Sequence, residues 1–132
     1  MANSIVKQTI VDGSRNLVVK IHIEGDGSGD ETATVLIDAS SYTPASTDIK
    51  ITGIHSALTG FTADLLWDAT ANVSILNIPD YEYNLDTGIR HFGGFPNNAG
   101  TGKTGDILIT TIGLGAGDHG TITLEMKKRN NV

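Results

Sequence analysis

The sequence predicts an all-β protein, a single domain built as a two-sheet antiparallel β-sandwich, jelly-roll-like, with about eight strands. Three observations carry this expectation. Several segments alternate apolar and polar residues with a period of two. Clusters of Gly, Asp, Asn and Ser separate them at hairpin spacing. No stretch of eleven or more residues holds a 3.6-residue apolar period, so any helix is expected to be short.

The clearest strand covers residues 17–24, where Leu17, Val19, Ile21 and Ile23 alternate with Val18, Lys20, His22 and Glu24. A second covers 61–68, with Phe61, Ala63, Leu65 and Trp67 on one face, and a third 121–127, with Ile122, Leu124 and Met126. These apolar rows are the expected core. Trp67 belongs to it because it falls in register with the apolar face of its strand. Shorter strands are expected at 4–11, 34–38, 48–58, 72–78 and 106–112. Parity switches at Gly53, from Ile49 and Ile51 to Ile54, which predicts a bulge or a strand bending between sheets.

With 132 residues the chain falls within the usual size of one domain, here 1–132, and can fold around one core without a metal or disulfide. It contains no cysteine, which removes thiolate chemistry and cysteine-ligated zinc and fits synthesis in a reducing cytoplasm. The first residues show neither the basic start nor the apolar run of a signal peptide. No apolar run approaches the ~20 residues that span a bilayer, so no membrane partner is expected. A formal charge of −6 repels phosphate backbones, and the only basic cluster is Lys127-Lys128-Arg129, so no nucleic-acid partner is expected either.

Several segments imitate catalytic or ligand motifs. Gly100-Thr101-Gly102-Lys103-Thr104 contains the end of a phosphate-binding loop, but Asn97 stands where the leading glycine belongs and a strand follows where a helix is needed. Asp26-Gly27-Ser28-Gly29-Asp30 spaces oxygen ligands as a calcium loop begins; Glu31 and Ile37 then occupy the positions of the turn glycine and the bidentate glutamate. It reads as a Gly-rich hairpin loop. His22, His55, His91 and His119 sit in four separate segments without metal-ligand spacing. No catalytic, cofactor-binding or metal-binding residues are therefore assigned, and no enzymatic activity is expected.

Two segments stand out, each readable as an interaction surface or as a segment that packs within its own subunit. The stretch 81–103 is too long for a hairpin connection and gathers Tyr81, Tyr83, Phe92 and Phe95, and aromatics carry much of the energy at protein interfaces. An N-terminal arm is expected over 1–11. Around Ile5 and Val6 it is apolar on both faces, so it has a weak register and could take one partner from another subunit. Ile5, Val6, Tyr81, Tyr83, Phe92 and Phe95 are the candidate interface residues.

The chain resembles small virion structural proteins of tailed bacteriophages, notably phages of marine and cyanobacterial hosts. The likeness is carried by Val11-Asp12-Gly13-Ser14-Arg15-Asn16-Leu17-Val18-Val19-Lys20, Gly25-Asp26-Gly27-Ser28-Gly29-Asp30 and Leu66-Trp67-Asp68-Ala69-Thr70. It continues in Phe92-Gly93-Gly94, Asn97 through Gly105, and Gly117-Asp118 through Met126. The resemblance implies a capsid decoration or cement protein on the virion surface, made in the host cytoplasm. Its partner would be the major capsid protein, its state a homo-oligomer with a trimer favoured, and its cofactors none. A tail or head–tail junction component is the alternative. A carbohydrate-binding β-sandwich is the alternative from another class, since exposed aromatics with Asn and Asp can stack on and hydrogen-bond a sugar.

Overall fold

The computed structural model describes residues 3–13, 15–42, 49–86, 99–102 and 104–128. Among the described residues nine strands make up the fold: β1 (Ser4–Asp12), β2 (Asn16–Glu24), β3 (Thr34–Ile37), β4 (Ile49–Thr59), β5 (Thr62–Trp67), β6 (Val73–Ile78), β7 (Glu82–Asp86), β8 (Ile107–Ile112) and β9 (His119–Lys128). One 3-10 turn, Ala39–Ser41, is capped by Asp38, whose side chain accepts from the Ser40 amide. No helix among the described residues is long and apolar enough to cross a membrane.

The strands form two antiparallel sheets, one of five strands in the order β1-β2-β9-β4-β7 and one of four in the order β3-β8-β5-β6. Setting β1 aside, the orders 2-9-4-7 and 3-8-5-6 are those of an eight-stranded jelly roll built from two Greek keys. β1 is a ninth strand added beyond β2 at the rim of the larger sheet. Turn chemistry fits this path. Only β1–β2 and β5–β6 are hairpins within one sheet, while the remaining connections carry the chain between sheets.

The core lies between the sheets and is formed by the residues the alternation assigned to it. Leu17, Val19, Ile21 and Ile23 of β2, Ala63, Leu65 and Trp67 of β5, and Ile122, Leu124 and Met126 of β9 are all buried, as is Phe61 just before β5. The parity switch in β4 is a bulge: Ile51 pairs with Met126, Gly53 with Glu125, and Thr52 is the extra residue. The inward set thereby passes from Ile49 and Ile51 to Ile54 without leaving an apolar side chain in water.

Alternation also carries a charge inward. Following Ile122, Leu124 and Met126, Lys128 takes the next inward position, and its side chain is fully buried. It is satisfied there by Asp12 Oδ1 at 2.6 Å and the Gly13 carbonyl at 2.9 Å. This pair ties the end of the last strand to the turn between the first two.

Two expectations need correction. The segment 81–103 does not begin as a loop, because β7 occupies Glu82–Asp86 and pairs with β4 from Gly53↔Asp86 to Ala57↔Glu82. The expected arm 1–11 is, from Ser4 onward, a strand of the chain's own sheet, paired with β2 from Ser4↔Glu24 to Asp12↔Leu17 around a bulge at Ile10. In both cases backbone pairing within the chain satisfies groups that an isolated loop or arm would leave to water or a partner.

Candidate functional site

β1 and β3 border the same flank of the sandwich, at the rims of the two sheets, and side chains from β1 bridge them. Lys7 Nζ donates to the Val35 carbonyl at 3.2 Å, and Ile5 packs half-buried against the core. Near the start of the strand, the Asn3 amide donates to Glu31 Oε2 at 2.7 Å and to the Gly29 carbonyl at 2.8 Å. Pairing with β2 sets Ile5, Lys7 and Thr9 on the inner side, opposite Ile23, Ile21 and Val19. Val6, Gln8 and, past the bulge, Val11 share the outer face with His22, Lys20 and Val18.

Part of that outer face is apolar and open to solvent. Among the described residues six large hydrophobic side chains are exposed, and four of them, Val6 at 59%, Ile10 at 54%, Val11 at 42% and Val35 at 42%, lie on β1 and β3. Val6 and Val11 stand on the outer face of the five-stranded sheet and Ile10 at its bulge, whereas Val35, opposite Leu108, stands on the outer face of the four-stranded sheet.

The other two, Tyr81 and Ile112, lie toward one end of the sandwich. The segments 24–33, 59–61, 79–82 and 113–119, which make up this end, carry Glu24, Asp26, Asp30, Glu31, Asp80, Glu82 and Asp118 and no lysine or arginine. Several of these carboxylates serve as internal fasteners. Asp30 Oδ1 accepts from the Leu114 amide at 2.7 Å and the Thr111 hydroxyl at 3.1 Å. Asp118 Oδ2 accepts from the Gly115 amide at 2.8 Å, and Asp80 Oδ1 from the Gly60 amide at 2.9 Å.

The amides of Leu114 and Gly113, helped by the Thr111 hydroxyl, hold the Asp30 carboxyl below the usual carboxylate range. A depressed carboxyl gives stability that is fully present above its unfolded value, near ~3.9, and is lost as pH falls through the folded value. Asp30→Asn is therefore expected to lower the urea midpoint at pH 7 and to differ less from wild type at pH 3. An equal gap at both pH values would refute the role given to this carboxylate. Asp106 has the opposite sign: burial raises its pKa, so protonating it as pH falls relieves a penalty.

The motif imitations resolve into local structure. In 26–30 the two carboxylates diverge: Asp26 Oδ1 accepts from the Ser28 amide at 2.9 Å within its own loop, while Asp30 reaches across to the turn before β9. Among the described residues no three His, Asp or Glu side chains converge on a metal-sized site. In 100–104 the chain packs on the β5–β6 turn. Thr104 Oγ1 donates to Asp68 Oδ2 at 2.8 Å, the Thr70 amide to the Thr101 carbonyl at 3.0 Å, and Gly102, at φ +83°, leaves no room for a Cβ beside Thr70. Lys103 lies outside the described residues, as do His91, Phe92 and Phe95.

His22, His55 and His119 all fall on the outer face of the five-stranded sheet. His22 Nε2 meets Glu24 Oε1 at 3.0 Å, and His55 Nε2 meets Glu125 Oε2 at 2.8 Å. His55 Nδ1 also lies 3.1 Å from Asn84 Oδ1, so one ring links β7, β4 and β9. Exposed pairs of this kind contribute little to stability.

Of the candidate interface residues, then, Ile5 and Val6 lie on β1, the first turned toward the core and the second toward solvent. Tyr81 is 64% exposed. Tyr83 is half-buried on β7, opposite Ser56, whose hydroxyl points to its carbonyl. The structure does not gather the four into one patch. Ile10 and Val11 fall within the arm singled out from the sequence, whereas Val35 was missed because alternation alone cannot tell an outer face that meets water from one that meets other protein. No family model matches the chain, and no curated protein matches it.

Proposed function

We propose that this chain is a virion structural protein that decorates the outside of a bacteriophage head and stabilises the shell through protein–protein contacts. The observation that supports this reading best is the apolar flank: Val6, Ile10, Val11 and Val35 stand exposed along the rims of both sheets. A cysteine-free jelly roll with its core complete has no folding reason to leave them there. A cement protein acts by binding the assembled shell in preference to its dissociated subunits, which shifts the shell's stability by mass action. The acidic end directs such binding toward cationic protein surfaces and away from packaged nucleic acid.

The test is to add the purified protein to undecorated heads and count bound copies by quantitative imaging. Hundreds of copies per particle are expected. A dozen or fewer would replace this reading with a tail or head–tail junction role, and glycan binding without particle binding would replace it with a carbohydrate-binding one. Val35→Glu, on β3 and away from the open edge of β1, is expected to leave the fold intact and to weaken binding about tenfold at limiting concentration, the equivalent of ~1.4 kcal/mol. Wild-type occupancy for this variant would remove the β3 side from the shell contact.

A further inference from the structure

We infer that the open edge of β1 pairs with β1 of a second copy, antiparallel and about a twofold axis at Gln8, joining two five-stranded sheets into one of ten strands. Among the described residues β1 pairs only with β2, so its other rim presents a row of backbone donors and acceptors along 4–11. That row is about 30 Å long at the usual rise of a strand.

The guard that commonly protects such an edge is disengaged. A lysine on an edge strand ordinarily discourages pairing, but Lys7 turns inward and donates to the Val35 carbonyl of its own chain. The bulge is the other common guard, and here it is confined to Ile10: Thr9 and Val11 still pair with the consecutive residues Val19 and Val18. The ladder on either side of it stays in phase.

The choice of a second copy follows from the side chains in order along this ladder. In a twofold antiparallel pair, residues opposite each other share a face. Centred on Gln8, the register sets Val6 opposite Val11 of the second copy, twice by symmetry, and Lys7 opposite Thr9. Exposed apolar residues then cover each other and no like charges meet. Centred one step away, on Lys7, it would set two lysines against each other, which is unfavourable. The Gln8-centred register is thus self-complementary, and that geometry makes a closed pair in place of the trimer expected from the resemblance. This inference rests on reading the flank as an assembly surface and names what covers its β1 side.

The absence of cysteine allows a clean test. Residues opposite each other in an antiparallel pair have Cα atoms about 4.5–5.5 Å apart, within disulfide reach. Q8C is expected to form an interchain disulfide rapidly in mild oxidant. K20C, exposed on the same face but one strand inward, would sit about 14 Å from its symmetry mate and is expected to cross-link at least tenfold more slowly. Sedimentation of the unmodified protein should show a dimer, V6K/V11K a monomer, and V6K/V11E, which sets opposite charges across the axis, a dimer again. A wild-type monomer throughout the micromolar range, or Q8C cross-linking no faster than K20C, would overturn the pairing. Particle binding is scored separately: a monomer that decorates heads defeats only the pairing, and a dimer that ignores heads defeats only the shell reading.

Discussion

Replacing Lys128 by alanine is expected to destabilise the protein by about 3 kcal/mol, the lower end of the cost of breaking a buried ion pair. The lower end applies because Asp12, its partner, retains 26% of its side-chain exposure and can recover some hydration. The Lys128 side chain is fully buried, so the substitution also removes a packed four-carbon stem and leaves the Gly13 carbonyl without its donor. A change of that size corresponds to a fall in Tm of roughly 10 °C for a domain of this length. The double variant D12N/K128M removes both charges and keeps the volume, so it is expected to recover much of the loss. Thermal unfolding of the three proteins decides the matter; a Tm for Lys128→Ala within about 2 °C of wild type would show that the pair is not a fastener.

Gly25→Ala is expected to cost about 3 kcal/mol, the upper end for overpacking. Gly25 closes β2, donates its amide to the Asp118 carbonyl at 2.8 Å and accepts from the Gly117 amide at 3.2 Å. A Cβ there would collide with the Gly115 carbonyl oxygen and press on Leu114, which is buried. The obstacle is main chain, so no rotamer change relieves it, and the β8–β9 turn must move bodily or lose its bonds to Gly25. Chemical denaturation would measure the loss, and hydrogen exchange should show its largest increase at Gly117 and Leu114. Unchanged protection at both amides would mean that the two turns are not coupled through this contact.

Eight of the nine strands are legible in the sequence because each displays period-two alternation or a β-branched run between turn residues. β7 is the exception. Tyr83 and Leu85 do alternate with Glu82, Asn84 and Asp86, but Asn and Asp disfavour strands, the run is only five residues, and the Gly- and Asn-rich stretch after it hides where it ends. Lys128 is misread for a related reason. Beside Lys127 and Arg129 it looks like part of a solvated basic cluster, whereas extending the row Ile122, Leu124, Met126 by one step places it inside. The apolar character of both faces around Val6 is legible in the sequence, but the surface character of Val35 is written nowhere locally, since the same alternation would describe a strand with neighbours on both sides.

The central pairing of β2 with β9 sets when, as well as how, the protein becomes stable. Asn16 meets Lys127 and Glu24 meets His119, so β2 completes its sheet only once β9 has been made. Contacts this distant in sequence make for slow folding, because loop closure must precede most of the favourable burial. On the ribosome the first hundred residues can form hairpins but not the sandwich, whose middle strand is still missing. The apolar outer row of β1 would then be presented by an incomplete sheet, with aggregation as the competing fate. Emergence of β9 is thus the event that closes the core, and the outer face of β1 belongs to a complete sheet only afterwards.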